Sequence, residues 1–235
     1  MVMNRNIYSK KDKVYINKKT NNKEYFKLII NYIKKYKTKV SLLDVACASG
    51  DFLKILKKKK NFNLTRIDFS KTLIDLAKKK VPKATFQIKN ISKKIKLKKK
   101  FDICTCLGTL SIFDDKFKII NKLINLVKKE GELIFFDPIN EHNVNVIIRY
   151  QNNFQKNNQW LTGFNTFSKK YWEKKLKQHP KIKSFSFQKF NIKKQIKINK
   201  KNPMRSWTIP FEGKNQLVVG TGQLLNFYII KIKLK

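Results

Sequence analysis

Leu42-Leu43-Asp44-Val45-Ala46-Cys47-Ala48-Ser49-Gly50-Asp51-Phe52 is the stretch that most restricts what this chain can fold into. An apolar run passes through small residues at 46, 48 and 50 and continues directly into a second apolar-periodic segment. That is the pattern of a buried parallel strand turning tightly into a helix. Small side chains let the backbone turn tightly and let a ligand lie against main-chain amides there. A dinucleotide pyrophosphate requires glycine at the first, third and sixth positions of such a turn, with no negative charge at the helix start. Counted from Ala46, the sixth position is Asp51. A carboxylate-flanked turn suits a cationic ligand better than a phosphate.

The same cadence continues on either side. A leading helix is predicted over 22–36 from Tyr25, Leu28, Ile29, Tyr32 and Ile33. Strands are predicted at 40–47, 63–67, 84–88, 101–107 and 132–137. Helices are predicted at 52–59, at 71–80 before Pro82, and at 114–128 before Gly131. Beyond Asn140 the pattern loosens to helices at 144–154 and 168–178, strands at 183–190 and 224–233, and a polar insertion between those strands. Alternating strands and helices imply βαβ crossovers. The fold class is therefore α/β: a doubly wound, mostly parallel seven-stranded sheet with an antiparallel last strand and helices on both faces. One domain is expected over 1–235, with a cofactor-binding core at 22–140 and a substrate-side cap plus insertion within 141–222.

The turn resembles motif I of the class I S-adenosylmethionine-dependent methyltransferases, D-x-G-x-G-x-G. Asp44 is the acid, Gly50 the last glycine, and Ala46 and Ala48 replace the first two. Asp68-Phe69-Ser70 resembles the acid, hydrophobic residue and serine that end the family's second strand. Asn90, before Ile91, stands where many members carry Asp. Phe101 to Gly108 resembles the fourth strand, and Leu126 to Phe136 the glycine turn and fifth strand. The resemblance implies S-adenosylmethionine bound near Asp44, Ala46, Cys47, Ala48, Gly50, Asp68, Phe69, Asn90, Ile91 and Leu107. Asp68 would accept from the ribose hydroxyls, Asn90 would meet the adenine, and the turn would flank the methionine part. A branched side chain at Gly50 would fill the cofactor's space. The competing reading is that Asp68 caps the helix beginning near Lys71. No metal site is expected.

Methyl transfer from a sulfonium is an in-line displacement, so positioning and water exclusion matter more than a general base. Carboxylates and a histidine near the sheet's C-terminal edge are Asp114, Asp115, Asp137, Glu141 and His142; His142 and Asp115 are the catalytic candidates. The Asn-Pro-Pro-Tyr signature of nucleic-acid amino-methylating enzymes is absent, and Cys104 and Cys106 lack the Pro-Cys context of RNA cytosine enzymes. O- or N-methylation of a small-molecule, glycan or lipid acceptor leads. The alternatives are an RNA methyltransferase and a non-catalytic S-adenosylmethionine-binding protein. The aromatic stretches at 160–167 and 202–208 suggest a lid, loosely similar to methyltransferases of bacterial surface-polysaccharide clusters.

Charge bears on the RNA alternative. The chain has 55 basic and 15 acidic residues, a formal +40, yet only Arg5, Arg66, Arg149 and Arg205 are arginines. Geometric phosphate recognition favours the guanidinium fork. Lysines spread along the whole chain instead imply a surface that is basic all round, so a nucleic-acid partner is the lesser reading. Cys47, Cys104 and Cys106 have no zinc or disulfide spacing and are expected as buried thiols. The polar N-terminus and the lack of a long apolar run imply no membrane span and a cytoplasmic location.

Overall fold

A computed structural model describes residues 23–36, 39–56, 62–151, 159–200 and 202–235. Its central sheet runs β1 (Val40–Val45), β2 (Phe62–Asp68), β3 (Thr85–Ile88), β4 (Phe101–Leu107), β5 (Val127–Asn140), β9 (Ile182–Lys189) and β13 (Phe227–Leu234). Their spatial order is β3-β2-β1-β4-β5-β13-β9. β1, β2, β3, β4 and β5 pair in parallel, while β13 enters antiparallel between β5 and β9. This is the expected seven-stranded order with its antiparallel last strand. The short β8 (Phe167–Ser168) pairs with the far end of β5.

Period-two alternation along each central strand sorts the core to two faces. Leu43, Val45, Cys104, Cys106, Leu133 and Phe135 face α4 (Lys116–Ile124) and α5 (Lys169–Lys177). Val40, Leu42, Ile103, Ile134 and Phe136 face α1 (Glu24–Ile33) and α2 (Asp51–Leu56). All three cysteines are buried free thiols. On the second face the ring of Tyr25 stacks on Phe136 at 3.8 Å, and Phe136 on Phe227 at 4.7 Å. α3 (Lys71–Lys80) matches its expected bounds and is capped by Ser70, whose Oγ accepts from the Leu73 amide at 3.2 Å.

Several expectations are corrected. The helix predicted to reach Lys128 ends at Ile124, because Val127 pairs with Phe101 and opens β5 early. The turn at Gly131 is instead a bulge: Phe101 faces Val127 but Ile103 faces Glu132, and Glu130 takes φ 55°. No helix forms over the described part of 144–154. Val146 bridges Thr166, and β6 (Arg149–Tyr150) pairs with β7 (Leu161–Thr162). β-branched Val144, Val146, Ile147 and Ile148 favour extended backbone. Asn145 and Asn165 side chains then accept from the Ser168 and Ile148 amides. The strand predicted from Leu224 is split at Asn226: β12 (Leu224–Leu225) joins β10 (Trp207–Phe211) and β11 (Lys214–Val218) in a three-stranded sheet. Positions 57–59 and 152–154 of two predicted helices lie outside the described residues. Among the described residues, no helix is long and apolar enough to cross a membrane.

Candidate active site

β2 and β3 lie to one side of β1, and β4 and β5 to the other, so the chain's winding direction reverses between β1 and β4. Open α/β sheets bind ligands beyond the C-terminal ends of strands at such a point. A cleft lies there. Ala46, Ala48, Asp68, Phe69 and Leu73 form one side, and Gly108, Thr109, Ser111 and Ile112, following β4, the middle. Tyr150, Thr162, Gly163, Phe164 and Met204 close it from the cap.

The turn after β1 is built on left-handed backbone: Ala46, Ala48 and Gly50 have φ of 56°, 45° and 78°. Asp68, at the tip of β2, holds it. Asp68 Oδ2 accepts from the Ala48 amide at 2.9 Å, and Oδ1 accepts from the Ser70 amide at 3.0 Å. Because Ser70 rather than Asp68 caps α3, the helix-cap reading of Asp68 is set aside.

Beneath the turn lie two buried charged groups, Asp44 and Arg66. Asp44 is 3% exposed and accepts from Thr105 Oγ1 at 2.7 Å. Burial pushes its carboxyl up to about 6, against the opposing pull of Arg66 and the Thr105 hydrogen bond. Arg66 is fully buried, and burial lowers its pKa. Its Nη2 donates to the Gly50 carbonyl at 3.4 Å, and its guanidinium sits over the Phe86 ring at 5.1 Å. A Cβ built on Gly50 would lie 2.2 Å from Arg66 Nη1 and 3.0 Å from Ala77 Cβ. Gly50 therefore faces the helix layer, and a larger residue there would strike Arg66.

Four of the ten residues expected at the cofactor line the cleft: Ala46, Ala48, Asp68 and Phe69. Asp44, Cys47, Gly50, Asn90, Ile91 and Leu107 do not. Asn90 Oδ1 accepts from the Ser92 amide at 2.8 Å, Ile91 packs in the α4-side core, and Leu107 packs against the opposite core. Neither catalytic candidate reaches the cleft. His142 is exposed, its amide donating to Asn140 Oδ1 at 3.0 Å, and Asp115 caps α4 by accepting from the Lys118 amide at 3.0 Å. Asp114 pairs with Arg149, and Glu141 is held by Lys189, Asn226 and Tyr228.

Asp137 forms a fully buried ion pair with Lys116. Lys116 also donates to the Asn165 carbonyl at 3.3 Å. Asn165 itself is fully buried and joins the cap to the core: its amide donates to the Ser111 carbonyl at 2.8 Å, its Oδ1 accepts from the Ile148 amide at 2.9 Å, and its Nδ2 donates to Asp114 at 3.1 Å. This network fixes Ser111 opposite Thr162 and Phe164. Sequence reading missed Ser111 and Tyr150 as cleft residues. Thr162, Phe164 and Met204, however, lie in the two stretches it singled out as a lid.

Lysines do gather in one place: Lys94, Lys96, Lys98, Lys99, Lys100 and Lys122 line a groove. It lies where chain enters β4, at the sheet edge away from the cleft.

Residues 36–191 match the family model of a methyltransferase domain. With this sheet order, the match defines a class I, Rossmann-like methyltransferase, the class that draws its methyl group from S-adenosylmethionine. The chain belongs to the methyltransferase-domain family. It is similar to a malonyl-[acyl-carrier protein] O-methyltransferase of Ilyobacter polytropus, 28% identical over 103 residues that cover 42% of this chain and 38% of that protein. The chain thus matches well under half of the curated relative's length. Its fold is similar to that of DhpI in a complex titled DhpI-SAM-HEP, with a TM-score of 0.60 at 12% identity, over 97% of this chain and 94% of that one. A S-adenosylmethionine-dependent methyltransferase from Clostridium acetobutylicum has a TM-score of 0.55 at 16% identity, over 97% of both chains.

Proposed function

We propose that this chain transfers a methyl group from S-adenosylmethionine to a small-molecule, glycan or lipid acceptor, with the donor seated across the Ala46–Ala48 turn and Asp68. The observation that carries the reading is the composition of the cleft: among the described residues Asp68 is its one charged residue, and it stands at the tip of β2 beside a strained small-residue turn. A cleft whose described lining holds a carboxylate and no lysine or arginine suits a ligand carrying a sulfonium and an ammonium. Asp68 is an acceptor-only carboxylate, the chemistry with which ribose hydroxyls pair.

When bound, the donor supplies an activated methyl group whose transfer leaves a neutral thioether. The chain's own part is to hold donor and acceptor in line and to exclude water. The turn and Asp68 position one partner, and the cap closes the other side. RNA methylation would draw on the lysine groove, yet that groove opens at the sheet edge opposite the cleft. Parallel calorimetric titrations with S-adenosylmethionine and NAD test the reading. Binding of S-adenosylmethionine alone is expected; binding of NAD alone, or of neither, overturns it.

A further inference from the structure

Basic residues number 55 of 235, yet none of the fourteen described residues lining the cleft is lysine or arginine. The cap end of the cleft instead gathers four hydroxyls, from Thr109, Ser111, Tyr150 and Thr162, against apolar walls from Ile112, Phe164 and Met204. None of the four hydroxyls has a hydrogen-bond partner among the described residues. Ser111 is the sharpest case: it is 1% exposed and its Oγ is buried without a partner. A buried hydroxyl left unpaired is destabilising, and a ligand that pairs it recovers that loss.

We infer that the acceptor site takes an uncharged group, an alcohol, phenol or neutral amine on an apolar body, oriented by the hydroxyls of Ser111 and Tyr150. The inference rests on the proposed methyl transfer and adds the acceptor's chemical class. An anionic acceptor would find no lysine or arginine among the described residues of the cleft wall and would face Asp68, with only the donor's sulfonium to offset its burial. A cationic one would be held against the positive donor. A neutral acceptor meets neither penalty. Burial raises the Tyr150 phenol above its ordinary pKa, so it stays protonated and can donate. In the reaction the acceptor's oxygen or nitrogen lone pair forms the bond to the methyl carbon. The sulfur–methyl bond breaks with its electron pair returning to sulfur, and the acceptor's proton leaves to water.

The test uses the full chain with S-adenosylmethionine tritiated on the methyl group. Metabolite extract is split by ion exchange into neutral, anionic and cationic pools, with total RNA as a fourth. Label is expected in the neutral pool at more than ten times the level in any other. Ser111→Ala should then raise the KM for the labelled neutral acceptor about tenfold while donor affinity stays within twofold. Donor binding with label chiefly in the anionic, cationic or RNA pool, or in none, overturns the inference. So does an unchanged KM in Ser111→Ala. Absence of donor binding would instead overturn the reading beneath it.

Discussion

The carboxylate of Asp68 accepts a hydrogen bond from the Ala48 amide at 2.9 Å, so the tip of β2 fastens the turn that leaves β1. Twenty residues apart in sequence, the two meet because β1 and β2 are parallel neighbours with Val45 beside Ile67. Asp68 thus shapes the turn, and under the proposed function it also accepts from the donor's ribose.

The turn is strained where alanine replaces glycine. Ala46 and Ala48 occupy left-handed backbone, which costs an L-residue about 1–2 kcal/mol. Glycine removes that strain but loses about 0.5–1 kcal/mol of unfolded-state entropy. Ala46→Gly and Ala48→Gly should each leave stability unchanged or raise it by up to about 1 kcal/mol. Urea unfolding checks this, and a loss of more than about 1 kcal/mol would contradict the strained geometry.

Gly50 tests the layer behind the turn. Gly50→Ala places its Cβ 2.2 Å from Arg66 Nη1, at a φ of 78° that alanine resists. The expected loss is about 2–4 kcal/mol of folding stability. Adding Arg66→Ala removes the struck group, so the double variant should lose less than the sum of the two singles. Additive losses in urea unfolding would show that the two residues do not collide.

Asp44 gives a pH signature. Its folded pKa is about 6 against an ordinary 3.8, so between those values the folded chain holds a proton that the unfolded chain has released. Its contribution therefore falls as pH rises from about 4 to about 6 and stays low above. Asp44→Asn carries no such charge. The stability of wild type minus that of Asp44→Asn should decline from pH 4 to pH 6.5; a difference that is flat or rises contradicts the burial and charge environment described for Asp44.

Much of this fold was legible because its signals are local and periodic. β4 and α3 have the bounds that apolar alternation, Ser70 and Pro82 imply. The misread helix over 144–154 failed because its apolar spacing fits either period, and long-range partners decided: Thr166 and Leu161 offered pairing that a helix could not use. The site was legible in the turn and in Asp68, which sit on consecutive strands. Ser111 and Tyr150 were not, since only the Asn165 network brings residues that far apart to one cleft. At Gly50 the direction of a Cβ, toward Arg66 and Ala77, was not legible, since sequence gives a turn's residues but not where each Cβ points.

Asp68 carries the central claim, and calorimetric titration of S-adenosylmethionine into wild type, Asp68→Ala and Asp68→Asn tests it most directly. Hydrogen bonds to a charged group contribute about 1.5–3 kcal/mol each, so Asp68→Ala should weaken binding at least tenfold. Asp68→Asn, which keeps one carbonyl oxygen to accept from Ala48, should fall between the two. Unfolding curves run in parallel establish that each variant is folded. Folded variants that bind S-adenosylmethionine as tightly as wild type would contradict the account and place the donor elsewhere on the chain.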